Sequence, residues 1–205
     1  MNSLYRNAES LPWKRPIRLR RLTAIFTIAW FTFYSGWSSA QVPGANREYP
    51  LKAAFLYNFG NYVEWPTEAF ASADAPFVLG IMGPNPFGAI LTEVAATKKL
   101  HGRSIVIRHI AAASEAAECQ ILFIGATVGE ADRQAAVEAT RGIPVLIVGE
   151  TPGLAEQGAV VNFFVEQNKV RFEINVQAAH ERHLKISSKL MSLAKVVEPR
   201  RIAGN

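Results

Sequence analysis

A chain of 205 residues, 49% hydrophobic and 19% charged, has the length of one domain or two small ones and excludes an intrinsically disordered protein. Its formal charge of +5 is concentrated at the start: the first forty residues hold six basic residues (Arg6, Lys14, Arg15, Arg18, Arg20 and Arg21) and one acid, Glu9. Taking these from 22 basic and 17 acidic residues leaves 16 of each, so the body of the chain has no electrostatic footprint for nucleic acid.

Residues 1–40 have the grammar of a secretory signal. Lys14 to Arg21 is a basic region, Leu22 to Tyr34 an uncharged apolar core, and Ser38-Ser39-Ala40 a small-residue cleavage site, which places the cut after Ala40. The uncharged stretch Leu22 to Ala40 is nearly long enough for an anchor helix, but its last third is Ser, Gly and Ala, which favours cleavage. In both cases the remaining chain is expected across the membrane. No cysteine precedes a lipidation site. The single cysteine, Cys119, leaves an exported domain without an internal disulfide, so stability must come from the core. At the mouth of an apolar run, Cys119 reads as a packed thiol, with a catalytic thiol or an intermolecular disulfide as alternatives.

Residues 41–47 form a polar tether. Lys52 to Pro66 is dense in aromatics (Phe55, Tyr57, Phe59, Tyr62, Trp65), carries only Lys52 and Glu64 as charges, and repeats its apolar residues at helical spacing. It predicts a first helix, with Pro50 in its first turn and Trp65-Pro66 as its stop. Gly60 inside it predicts a close backbone approach. Pro76 to Gly83, Ser104 to Ile110, Gln120 to Gly125 and Ile143 to Gly149 predict four strands, with helices over Phe87 to Ala96 and Gly129 to Arg141 and a connector over Ala111 to Glu118. Gly158 to Glu166 and Lys169 to Asn175, separated by Gln167-Asn168, predict a hairpin. Val176 to Leu184 and Ser187 to Val197 predict closing helices, the second with Leu190, Leu193, Ala194 and Val197 on one face. Glu198 to Asn205 is a polar tail. The expected fold is α/β: one domain over 48–197, a mostly parallel sheet of about six strands, helices on both faces, and a C-terminal hairpin plus helices.

No constellation of catalytic residues stands out. There is no G-x-S-x-G pattern, and Asp74 and Asp132 are the only aspartates after the leader. Gly80 to Gly88 sits where a phosphate loop would, yet Pro84 and Pro86 remove backbone donors, so a tight turn is the simpler reading. His180 and His183 share a helical face in this reading but lack a third ligand, so no metal and no cofactor is expected. Arg171 and Glu173, two apart on one strand, form a surface pair or the rim of a pocket.

Five separated segments resemble the YfiR family: Lys52 to Phe59 with Val63 to Pro66, Gly83 to Gly88, Cys119 to Ile124, Arg171 to Asn175, and Ile186 to Ala194. In order they are spread along nearly the whole of Tyr49 to Val197. The resemblance implies a periplasmic, non-enzymatic α/β protein that binds and represses the periplasmic region of a membrane-bound diguanylate cyclase, lowering cyclic di-GMP and biofilm formation. It further implies sequestration by an outer-membrane lipoprotein, a capacity to form homodimers, and partner contact near the C-terminal end, here Glu181, Leu184, Ile186 and Leu190. The family's disulfide-linked redox control does not carry over to a chain with Cys119 alone. The competing expectation is a periplasmic small-molecule binder with a pocket at the carboxyl ends of the strands, involving Asn85, Phe87, Arg171 and Glu173.

Overall fold

The apolar runs become strands wherever both of their faces find cover. The computed structural model describes residues 47–199; the leader, residues 41–46 of the tether and residues 200–205 of the tail lie outside the described residues. In chain order the elements are α1 (Glu48–Tyr62), β1 (Val63–Glu64), β2 (Phe77–Met82), α2 (Ile90–Thr97), β3 (Lys99–Leu100), β4 (Arg103–Ile110), β5 (Ile121–Ile124), α3 (Glu130–Ala139) and β6 (Leu146–Gly149). The hairpin β7 (Val161–Glu166) and β8 (Lys169–Asn175) follows, then α4 (Val176–Glu181), β9 (Lys185–Ile186), α5 (Ser188–Met191) and β10 (Lys195–Val197).

The main sheet has the order β10-β8-β7-β6-β5-β2-β4-β3. Only β7–β8 and β3–β4 are antiparallel. The architecture is therefore the expected mostly parallel α/β sheet, with eight strands rather than six. The run β4-β2-β5-β6-β7 is a doubly wound order, with its switch point between β2 and β5. Strand alternation feeds two cores. Phe77, Leu79 and Ile81 of β2 face the core under α1 and α2; Val78 and Met82 face the core under α3 and the 3-10 turn Ala113–Glu118.

Each difference from the sequence expectation has a local cause. The first helix starts at Glu48 and ends at Tyr62, before Trp65-Pro66, because Val63 and Glu64 pair with Ile186 and Lys185 as a second, two-stranded sheet. The helix expected from Phe87 begins at Ile90, since the Asn85 side chain accepts from the Phe87 N–H at 2.9 Å and keeps that stretch as a turn. The helix expected to Leu184 stops at Glu181, and His183 turns the chain at φ +57. Ser187 to Val197 is not one helix. Ser187 caps the short α5, its hydroxyl accepting from Leu190 N–H at 3.3 Å, and Lys195–Val197 then pairs in parallel with Glu173–Asn175. The β-branched Val196 and Val197 find a ladder on the free edge of β8, and that outcompetes helix continuation.

The core under α1 is aromatic. Phe59 stacks on Phe163 at 5.7 Å and meets Phe172 edge-on at 5.1 Å. In the other core, Gly80 leaves room for Cys119: a Cβ at Gly80 would stand 2.5 Å from Sγ. Cys119 is 1% exposed, and burial pushes its thiol up to about 11. The packed-thiol reading holds, and a thiol so buried is a poor nucleophile at neutral pH.

Two outcomes follow from this packing. Phe59→Ala is expected to cost about 3–5 kcal/mol in denaturant unfolding, and a loss below 1 kcal/mol would contradict the aromatic core. Gly80→Ala is expected to cost about 1–3 kcal/mol by overpacking, with Cys119→Ala added to it restoring part of the loss. Strict additivity of the two changes in a double-mutant cycle would show that the two sites do not press on each other.

Candidate functional site

In doubly wound sheets, ligands sit beyond the carboxyl ends of the strands, at the switch point. Here that crevice is bounded by the turn after β2 (Gly83 to Phe87), Gly125-Ala126 after β5, and Glu150 after β6. The first half of α1 fills it. Phe87 is 2% exposed and packs edge-on against Phe123 at 4.8 Å and Tyr49 at 5.8 Å. Lys52 of α1 reaches down beside them. Its Nζ lies 2.7 Å from Glu150 Oε2 and 2.5 Å from Glu48 Oε1, and 4.8 Å from the centre of the Tyr49 ring. The other Glu150 oxygen accepts from the Ala126 N–H at 3.0 Å. Burial disfavours the Lys52 ammonium, but hydrogen bonds and charges from Glu150 and Glu48 outweigh it and hold its pKa above the ordinary value. Burial and the Glu150 charge likewise raise the Tyr49 phenol.

The four residues expected to line a pocket are therefore not brought together. Asn85 is spent on its own turn and Phe87 on the core. Arg171 and Glu173 lie on β8, four strand steps from β2, or about 19 Å at about 4.8 Å per step. Arg171 pairs with Glu166 at 3.0 Å, and Glu173 accepts from Asn162 at 3.2 Å.

The four C-terminal residues divide. Leu184 and Leu190 are 5% and 2% exposed and belong to the core under α1, so neither presents its side chain to a partner in this conformation. Glu181 is exposed at the end of α4, accepting from Gln177 at 2.9 Å. Ile186 is half-buried on β9, beside the end of α1. Leu51, Val106, Val165 and Val176 also reach solvent, but the two most exposed large apolar side chains among the described residues lie farther on: Leu193 at 65% and Val196 at 55% exposure. Val196 is in register with Ile174, on the α1 side of the sheet, and β10 is the outermost strand. Half-buried Met191 and Ala194 complete the neighbourhood. Leu193, expected on one helical face with Leu190, Ala194 and Val197, instead follows the end of α5; the β-branched Val196-Val197 and Pro199 were the signal against a longer helix.

Two buried charges had no local signal. One is the Glu150 partner of Lys52. The other is Arg182, 2% exposed, which joins α4 to α3 by donating to the Ala178 carbonyl at 3.3 Å and the Val137 carbonyl at 3.1 Å. Burial lowers its pKa. His180 and His183 are exposed and separated by the turn at His183. Among the described residues, no group of three or more His, Cys, Asp or Glu side chains is placed to hold a metal ion.

No curated protein matches the chain at a significant level. A family match, described as YfiR/HmsC-like, spans residues 49–195, which takes in every helix, strand and loop from the first turn of α1 to β10. The five sequence segments noted above all lie within that span, and the doubly wound sheet carries them in one folded unit. The chain belongs to the YfiR/HmsC-like family.

Proposed function

We propose that this protein is a periplasmic regulator that binds the periplasmic sensor region of a membrane diguanylate cyclase and holds the cyclase inactive, lowering cyclic di-GMP and biofilm formation. Family membership supports the regulatory role. The leader, residues 1–40 with a cut after Ala40, supports export. The observation that carries a binding role is the solvent-facing apolar pair Leu193 and Val196 at the outermost strand of the sheet. Apolar side chains beside a strand edge that has no partner among the described residues suit capture of another protein. Ile186, half-buried on β9, and Glu181, exposed at the end of α4, are further contact candidates in the same C-terminal segment. An outer-membrane lipoprotein that sequesters the regulator, and a homodimer, would compete for the same kind of surface.

Repression of this kind is differential binding. A regulator that prefers the inactive cyclase conformation by ΔG shifts the equilibrium by that amount and no more; a shift from 1:99 to 99:1 takes roughly 5.5 kcal/mol. No chemistry by the regulator is required. The competing reading, a small-molecule binder with its pocket at the carboxyl ends of the strands, loses its expected site to Tyr49, Phe87 and the Lys52–Glu150 pair.

The test uses the exported domain and the purified periplasmic region of the host's own membrane diguanylate cyclase. Binding is expected by calorimetry, and Leu193→Glu with Val196→Glu is expected to weaken it at least about tenfold, or about 1.4 kcal/mol. Each of these exposed substitutions is expected to change stability by no more than about 0.5 kcal/mol. Leu190→Ala is the internal control: at 2% exposure it is expected to cost about 2–5 kcal/mol of stability. Absence of binding by the wild-type domain would overturn the regulator reading, and unchanged binding by the double variant would move the contact face elsewhere.

A further inference from the structure

The Glu150 carboxylate is buried and engaged at both of its oxygens. Its side chain is 5% exposed, and it follows directly on β6, where doubly wound sheets meet their ligands. One oxygen takes an ammonium, Lys52 Nζ at 2.7 Å, from a side chain itself 4% exposed. The other takes a backbone donor, the Ala126 N–H at 3.0 Å, from the loop leaving β5. A buried cation and a convergent backbone N–H are the elements from which proteins build carboxylate sites. Residues 52 and 150 are 98 positions apart, so their meeting is a product of the fold.

We propose that the carboxyl-end crevice is a carboxylate-binding site that the chain occupies with its own Glu150, and that it accepts a free carboxylate when the Glu150 side chain is withdrawn. The internal occupant has a second effect: it ties the first turn of α1 to the end of β6. That turn also makes contact through Tyr49, edge-on to Phe87 at 5.8 Å. Arg47 makes no side-chain cap, and Pro50 and Leu51 face solvent. The second half of α1, by contrast, is held by Phe55 and Phe59 against Phe163 and Phe172. Ala126 is exposed, which gives an outside carboxylate a path to the backbone donor. Withdrawal of Glu150 therefore loosens the first turn of α1 without disturbing the aromatic core. The site does not depend on the regulator reading above, and its test is independent of any cyclase.

The probe is formate, in Glu150→Ala. The variant is expected to melt below wild type, and its melting temperature to climb with the logarithm of formate concentration, as linkage requires of a ligand that binds only the folded state. Sodium chloride at the same ionic strength is expected to leave it flat, and wild type, already filled, to respond to neither. Adding Lys52→Met is expected to abolish the formate response. Equal responses of Glu150→Ala to formate and chloride, or a formate response that survives Lys52→Met, would overturn the site. If Glu150→Ala does not fold, hydrogen exchange of Glu150→Gln decides: faster exchange confined to residues 48–54 is expected, and unchanged exchange there would overturn the proposal.

Discussion

Phe59 has no exposed surface, and most of the molecule is arranged around keeping it so. It lies on Phe163 and Phe172, one from each strand of the β7–β8 hairpin, with Phe55 beside it at 6.1 Å. Each such side chain contributes roughly 1.5–3 kcal/mol on burial. This cluster fixes α1 on the sheet. At the next residue, Gly60 allows the helix backbone to meet Leu100 closely, and its carbonyl accepts from His101 Nε2 at 2.7 Å. In the other direction the helix can only run out over the carboxyl ends of β2, β5 and β6. The position of Tyr49 and Lys52 in the crevice is thus a consequence of where Phe59 sits.

That placement decides what kind of function the fold can serve. A doubly wound sheet ordinarily offers its switch point to ligands. Here the opening is closed by a tyrosine, a phenylalanine and a buried ion pair. Breaking such a pair by removing one partner leaves an uncompensated buried charge and typically costs about 3–5 kcal/mol. With Glu150 in place, the exposed apolar side chains of the C-terminal segment lie at the periphery. The end of α1 is joined to the C-terminal segment by the β1–β9 pairing and by Ser187 N–H donating to the Tyr62 carbonyl at 2.9 Å. The first helix and the last strands therefore form one continuous region, with β10 as its rim.

The sequence disclosed those parts whose physics is local. Phe77 to Met82, Ile121 to Ile124 and Leu146 to Gly149 are buried on both faces, and so they are unbroken apolar runs. The hairpin turn at Gln167-Asn168 was legible from its length, and both residues take positive φ. The short strands were not legible: β1, β3, β9 and β10 have two or three residues each and exist only because a partner edge is there. The site was half legible. A lone lysine in an aromatic helix needs a carboxylate, so Lys52 carried a signal, but nothing near Glu150 in sequence announces the partner. Leu184 and Leu190 look alike on paper to Leu193; only the break after Met191 turns the last one outward.

Restraint of a membrane diguanylate cyclase by the folded domain, as proposed, has a cellular readout. Cyclic di-GMP measured in host cells lacking the protein, and again after complementation, tests it most directly. The nucleotide is expected to rise on deletion, return to the wild-type level with the intact chain, and stay raised when Leu193 and Val196 are both replaced by Glu. A level that deletion leaves unchanged would contradict it.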